Sequence, residues 1–539
     1  MPLPTPVRKV AWWAPDPRQP CLPEPSYAAF TGTSVPTTPE TMSRSASLLT
    51  RFLGWTAGVF FHVEGRGGAV PDGPLLVVAN HPNSLMDGLV LFRVLDRPTR
   101  PLARAPLFEQ WLLGRMLRRL GGLPVYRRED FPEDMGQNQG TFDAAVAALR
   151  EGDAVQIYPE GLSHSEASLA PFRTGAARIA FQAEEESGWR LGLQILPVGL
   201  TYVRKTFFRG RVVAEVGKPI RVTNWREEHG TNDREAVRSL TDAIREGLEA
   251  VTLNVESPGE RDLIEVAERV YAREMGLARW RERETLGTRL PRLQLFARGA
   301  AWLRTEDPEA YRHLVGRVRA YERAAGILGA GEADVPPSYQ VGATLRYALM
   351  EAGMLLLKAP FAVVGLLAWL PAYLGSRPVV RKIGPAPEAL STFKLSASGL
   401  LAILTLAGWT FLAWWFGDWK WAMAVGSILI PLGLVAIAWH DRWLRVEEDV
   451  RLFLRVAFRR DKRDRLARMR KELKQEFDRL ARRLAEGDRA ARRQARRSRA
   501  RRAWSSRDRS SGEGSGERSP RQGSGETPGT EGTGAAEEG

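Results

Sequence analysis

Two stretches near the C-terminus constrain this chain most. Leu395–Phe416 carries no charge over 22 residues, and Trp421–Trp439 carries none over 19. Only Gly417, Asp418, Trp419 and Lys420 separate them. A helix needs about 20 apolar residues to cross a bilayer, so the pair reads as a transmembrane helical hairpin. Trp414, Trp415, Trp419, Trp421, Trp439 and Trp443 sit at its ends, where an aromatic belt belongs. The competing reading is a pair of buried core helices. Arg377, Arg381, Lys382 and Lys394 precede the hairpin, Arg442 and Arg445 follow it, and Lys420 alone lies in the turn. By the positive-inside rule both ends face the cytoplasm. Just upstream, Ala352–Leu374 is apolar except for Lys358 and contains Pro360 and Pro371. Basic flanks on both sides and interrupting prolines predict a re-entrant or interfacial element over 352–374 rather than a full span.

The formal charge of +15 is not spread evenly. Residues 451–539 hold 26 Lys and Arg against 14 Asp and Glu, a net of +12. The body is therefore nearly neutral, which excludes a whole-surface nucleic-acid binder. A lone cysteine, Cys21, excludes a disulfide framework and a Cys-rich metal site. Leu466, Met469, Leu473, Phe477, Leu480 and Leu484 recur at helical steps among basic residues. Residues 446–486 thus read as a basic amphipathic helix facing anionic lipid. Residues 487–539 and the ten-proline segment 1–40 are expected to be disordered, and the N-terminus has no signal-peptide pattern.

Between these ends the pattern alternates. Leu48–Phe61 reads as a helix, either lying on the membrane or packed on the core. Strands are expected at 74–79, 100–104, 123–126, 154–158, 194–203 and 211–217. Helices are expected at 84–95, 107–120, 141–151 and 175–186. Short apolar runs between helical periods argue an α/β domain over 41–255. A charged, amphipathic helical region follows over 256–344, then the membrane region 345–445.

Four motifs fall at ends of these strands. Asn80-His81-Pro82-Asn83-Ser84-Leu85-Met86-Asp87 lies where a strand gives way to a helix, the edge at which α/β sheets bind ligands. A histidine there can take a hydroxyl proton, and Asp87 can reach its other ring nitrogen. The same residues also resemble a capping box at a helix start. Gly122-Leu123-Pro124-Val125-Tyr126-Arg127-Arg128 closes a strand with two arginines, suited to a phosphate or simply solvated. Tyr158-Pro159-Glu160-Gly161-Leu162-Ser163-His164-Ser165 runs on to Pro171-Phe172-Arg173-Thr174-Gly175 at a helix start, which attracts anions. Ile195-Leu196-Pro197-Val198-Gly199 is an apolar strand containing a proline.

In this order the four resemble the blocks of the glycerolipid (PlsC-like) acyltransferases, which include glycerol-3-phosphate and 1-acylglycerol-3-phosphate acyltransferases. Pro371-Ala372-Tyr373, Thr392-Phe393-Lys394 and the hairpin resemble a glycerol-3-phosphate subgroup, some of whose members use dihydroxyacetone phosphate. Gly161–Ser165 also departs from the Gly-Thr-Arg-Ser of lysophosphatidate enzymes. The resemblance implies an α/β acyltransferase domain, a mixed sheet flanked by helices, with no metal and no cofactor. The donor would be an acyl thioester of coenzyme A or acyl carrier protein, the acceptor a glycerol phosphate. His81 and Asp87 would be catalytic. Arg128, with Arg127 and Arg173, would hold phosphate; Glu160, Gly161 and Ser163 would shape the acceptor site, and Asn80 would support the turn.

Overall fold

The computed structural model describes residues 44–126, 137–277, 284–327, 341–457, 464–483 and 486. The N-terminal segment 1–40, the tail 487–539, Arg127 and Arg128 lie outside the described residues.

A mixed sheet forms the centre of the domain. Its strands are β1 (Phe61–Gly67), β2 (Leu75–Ala79), β3 (Arg100–Arg104), β4 (Leu123–Val125), β5 (Ala154–Ile157), β6 (Gln194–Val203), β7 (Gly210–Val216) and β8 (Ile220–Arg221). The spatial order is β1-β7-β6-β2-β5-β3-β4, with β8 against β6. β6 pairs antiparallel with β7 and β8; the other neighbours are parallel. β2 reads Leu-Leu-Val-Val-Ala and is wholly buried, as a central strand covered on both faces should be. Its alternate residues serve two cores. Leu76 and Val78 pack with α5 (Gln137–Arg150), α6 (Gly175–Glu186) and α8 (Asp233–Glu249). Leu75 and Val77 pack with α1 (Arg44–Phe60) and α2 (Leu85–Val94).

Helix α1 is packed on the core along one face. Leu53, Ala57 and Phe60 are buried in the core, while Leu48, Phe52 and Trp55 stay exposed on the opposite face. The expected helix 107–120 is two, α3 (Ala105–Glu109) and α4 (Trp111–Arg119), because Gln110 is extended. β1 was not legible in the sequence. It is an edge strand, Phe-His-Val-Glu-Gly-Arg-Gly, held by seven paired positions to β7 rather than by its own apolar pattern. Short α7 (Arg226–Thr231) precedes α8, and the helical region is α9 (Pro258–Glu274), α10 (Leu286–Glu306) and α11 (Pro308–Ile327). Buried Glu268 joins two of these through Arg289 and Arg292.

Three further helices are α12 (Val341–Ile383), α13 (Leu390–Phe416) and α14 (Trp419–Ala457). Ala348–Ile383, Leu390–Phe416 and Trp419–Glu447 are each long and apolar enough to cross a membrane. The prolines of 352–374 do not interrupt their helix, as the sequence suggested; Pro360, Pro371 and Pro378 lie inside α12. Neighbouring helices can satisfy the carbonyls that a proline frees. The contacts of α12 run antiparallel along α14: Arg442 with Glu351, Trp439 Nε1 with the Leu355 carbonyl, Trp369 Nε1 with the Leu429 carbonyl. They then run antiparallel along α13: Trp409 Nε1 with the Ala368 carbonyl, and Gly375 against Leu401. The legs α13 and α14 themselves run in opposite directions, with Gly426 against Thr410.

The hairpin has both feet on one loop, residues 204–209. Ser391 Oγ donates to the Lys205 carbonyl at 2.5 Å and Lys394 Nζ to the Thr206 carbonyl at 2.6 Å. Arg209 Nε meets Asp441 Oδ2 at 2.8 Å. The chain divides into two compact units at Glu476/Phe477, and residues 477–483 of the second are helical. Within the first unit, residues 464–476 are helical with Leu466, Arg470 and Leu473 buried. Arg470 pairs with Glu274 of α9, and Glu472 and Glu476 pair with Arg317 of α11. The apolar side of this basic helix is therefore covered by protein, and the residues left outward include Arg465, Arg468 and Lys471.

Candidate active site

The site is built where β2 ends. Asn80–Ser84 forms the turn into α2, and Ser84 holds a positive φ of 47°. A non-glycine residue there is strained, and such strain is commonest at functional turns. The turn brings His81 back over the first turn of the helix. His81 Nδ1 lies 2.9 Å from Asp87 Oδ2. Asp87 is fully buried and accepts two more bonds, from the Asn83 amide at 2.7 Å and the Tyr202 hydroxyl at 2.7 Å. An ionised carboxylate only accepts, so the proton sits on Nδ1 and the Nε2 lone pair is left for a substrate. Burial, then the charge of Asp87, pushes the Tyr202 hydroxyl well above its usual range, which keeps it a donor. The His81 ring stacks on Tyr158, with centroids 3.9 Å apart and planes 16° from parallel. This fixes the ring's plane as Asp87 fixes its rotation.

A second histidine–carboxylate pair stands beside the first. His164 Nδ1 accepts the Glu166 amide, so its Nε2 donates to Glu160 Oε2. The same oxygen accepts the Ala170 amide at 2.7 Å, and Oε1 accepts the His81 amide at 3.1 Å. Glu160 is 2% exposed. Both its oxygens are engaged by the protein, so it latches the β5 turn to the β2 turn while also lining the cavity beside His81. Ser163 does the same work through its Oγ, which accepts the Ser84 amide at 3.0 Å. That bond also removes Ser84 from the helix-start amides available to an oxyanion. Asn80 exchanges two bonds with Leu200 of β6, donating at 3.0 Å and accepting at 2.7 Å, and so supports the turn. Gly161 has φ +71°, and a Cβ there would meet Arg173 Nε at 2.6 Å. Only glycine satisfies both constraints, and it lets the Arg173 side chain cross the turn.

The structure thus brings His81, Asp87, Asn80, Glu160 and Ser163 into one bonded cluster, with Gly161 and Arg173 at its edge. Tyr202, Lys205 and His164 belong to the cluster too. Tyr202 and Lys205 lie over 110 positions from Asp87 and Pro82, and nothing local signals that pairing; His164 stood within a motif. A cavity of about 360 Å³ opens beside the turn, between His81 and His164 on one side and Arg204, Lys205 and Arg261 on the other. Leu200–Val203 of β6 also line it. Proton transfer at the cavity's mouth by a carboxylate-oriented imidazole is the chemistry this arrangement supports.

Parts of the chain are similar to known proteins. A family model described as "Acyltransferase" matches residues 61–201. Glycerol-3-phosphate O-acyltransferase 2 of Saccharomyces cerevisiae is 33% identical over 135 residues, which are 25% of this chain and 18% of that protein. Glycerol-3-phosphate O-acyltransferase 1 of the same yeast is 29% identical over 126 residues, 23% and 16% of the two chains. The chain therefore spans less than a fifth of the length of either relative. The crystal structure of the 1-acyl-sn-glycerophosphate acyltransferase PlsC from Thermotoga maritima is 19% identical with a TM-score of 0.28, covering 38% of this chain and 79% of that one.

Proposed function

We propose that this chain, a member of the acyltransferase family through its residues 61–201, acylates a hydroxyl of glycerol-3-phosphate or dihydroxyacetone phosphate at a membrane surface. The His81–Asp87 pair carries the reading. The substrate hydroxyl approaches Nε2 of His81, which removes its proton as the oxygen attacks the carbonyl of an acyl thioester. Asp87 stabilises the imidazolium that forms. The tetrahedral intermediate then collapses, the thiolate leaves, and the imidazolium returns a proton to it. Tyr202 and the Asn83 amide keep donating to Asp87 and hold its position. The thiol carrier is coenzyme A or acyl carrier protein, and no metal or cofactor enters the sequence of steps. Arg128, aided by Arg127 and Arg173, would hold the acceptor phosphate.

The gathering of the hairpin's feet on one loop of the catalytic domain favours an active site at the membrane surface, on the side from which the hairpin inserts. The basic flanks make that side the cytoplasm. A lysophosphatidate acceptor is the alternative, and the same assay separates the two. Membranes bearing the chain are offered labelled acyl thioester with each of glycerol-3-phosphate, dihydroxyacetone phosphate and lysophosphatidate. Labelled lysophosphatidate or acyl-dihydroxyacetone phosphate supports the proposal. Product from lysophosphatidate alone would replace it.

A further inference from the structure

The Thr392-Phe393-Lys394 stretch takes no part in the chemistry above, yet its lysine is 4% exposed at the foot of a membrane leg. Its ammonium donates to the Thr206 carbonyl at 2.6 Å, and neighbouring Ser391 donates to the Lys205 carbonyl at 2.5 Å. Lys205 points its own ammonium the other way. It donates to the Pro82 carbonyl at 2.8 Å and to Ser165 Oγ at 2.7 Å. Pro82 follows His81, and Ser165 follows His164. A short chain of hydrogen bonds therefore runs from the hairpin, through one loop, to the turn that carries the proposed base.

The loop is held without slack. Arg204 and Arg209 at its two ends both adopt left-handed conformations, with φ of 57° and 60°. Arg209 donates to the carbonyls of Gly58 and Val59 and to Asp441 of the second membrane leg. A displacement at either foot has little room to be absorbed before it reaches Lys205. Burial lowers the affinity of the Lys205 ammonium for its proton, so its placement depends on these acceptors.

We propose that Lys394 and Lys205 are positioning residues, through which the seated membrane hairpin sets the Asn80–Ser84 turn and so the aim of His81. The proposal rests on the acyl-transfer reading for its kinetic expression but not for its mechanical one. Misplacing a reacting group by about 1 Å costs up to about a hundredfold in rate. The full chain in membranes is assayed as wild type, Lys394→Met, Lys394→Arg, Lys205→Met and the Lys205→Met/Lys394→Met double variant. Lys394→Met lowers kcat about 10- to 100-fold with KM for both substrates within about twofold. Lys394→Arg, which keeps a donor, restores kcat to within about threefold of wild type. The double variant is no slower than the slower single, because both act along one path. Trp409→Phe removes a contact of the first membrane leg with the Ala368 carbonyl, away from the loop, and keeps kcat. Additive losses in the double variant, or an equal loss in Trp409→Phe, overturn the strut. Amide hydrogen exchange across residues 81–87 reads the same claim without activity: it quickens in Lys394→Met. A wild type silent toward every acceptor, with exchange still quickened, removes the function and leaves the strut; unchanged exchange removes the strut.

Discussion

Replacing Asp87 by Asn tests how the turn governs His81. Asn has one acceptor and one donor where Asp has two acceptors. The oxygen must take the Oδ2 position, because the Asn83 amide at 2.7 Å there can only donate. The new amide then faces Tyr202, whose hydroxyl can turn and accept. His81 therefore keeps its proton on Nδ1 and its lone pair on Nε2. What is lost is the negative charge. Two unit charges about 4 Å apart attract by about 4 kcal/mol at an effective dielectric of 20. Each 1.4 kcal/mol is about tenfold, so kcat falls about a thousandfold while the fold survives. The assay is single-turnover acyl transfer beside a thermal melt. A loss under about tenfold would show that Asp87 does not stabilise an imidazolium.

Other expectations follow from single contacts. Glu160→Gln loses an acceptor among three donors, so stability falls by about 1–3 kcal/mol while KM for the acceptor stays within about twofold; a large KM rise in a stable variant would return Glu160 to the acceptor site. Tyr158→Phe removes a buried hydroxyl that has no hydrogen-bond partner among the described residues, so stability holds or rises by about 1 kcal/mol, read by chemical denaturation. Tyr158 and Tyr202 both have pKa values raised by burial and by Asp87, so the unfolded chain loses their protons first. The stability they contribute is intact below the unfolded value of about 10 and declines as pH rises above it; Tyr158→Phe flattens part of that decline in a pH series of melts. Gly161→Ala forces a left-handed alanine against Arg173, costing about 1–3 kcal/mol and raising KM for the acceptor if Arg173 holds its phosphate.

Much of this molecule was legible because local pattern and tertiary role agree. β2 is a run of buried residues, α2 begins with acidic Asp87, and the membrane legs announce themselves by charge depletion. The failures share a cause. β1 is an edge strand whose residues are chosen by β7, not by periodicity. Gln110 breaks a helix that its apolar spacing would continue. The prolines of α12 would end a helix in water, but sit beside helices that can satisfy the freed carbonyls. At the site, sequence order showed His81 and Asp87 six positions apart across a strand-to-helix turn, and their approach followed. It did not show that β6 lies next to β2, and that adjacency supplies Tyr202 and Lys205. Nor did it show that Glu160, an apparent ligand for substrate, has its oxygens occupied by the amides of His81 and Ala170 and by His164. The ion-pair partners of the helix after residue 464, Glu274 of α9 and Arg317 of α11, are likewise distant in sequence.

The central claim is that Nε2 of His81 is the base for acyl transfer. The most direct measurement compares wild type with His81→Ala in the same membranes, at equal protein and equal melting temperature, using labelled acyl thioester and glycerol-3-phosphate. The account predicts labelled lysophosphatidate from wild type and a rate at least about a thousandfold lower from the variant. Undiminished product from His81→Ala would contradict it.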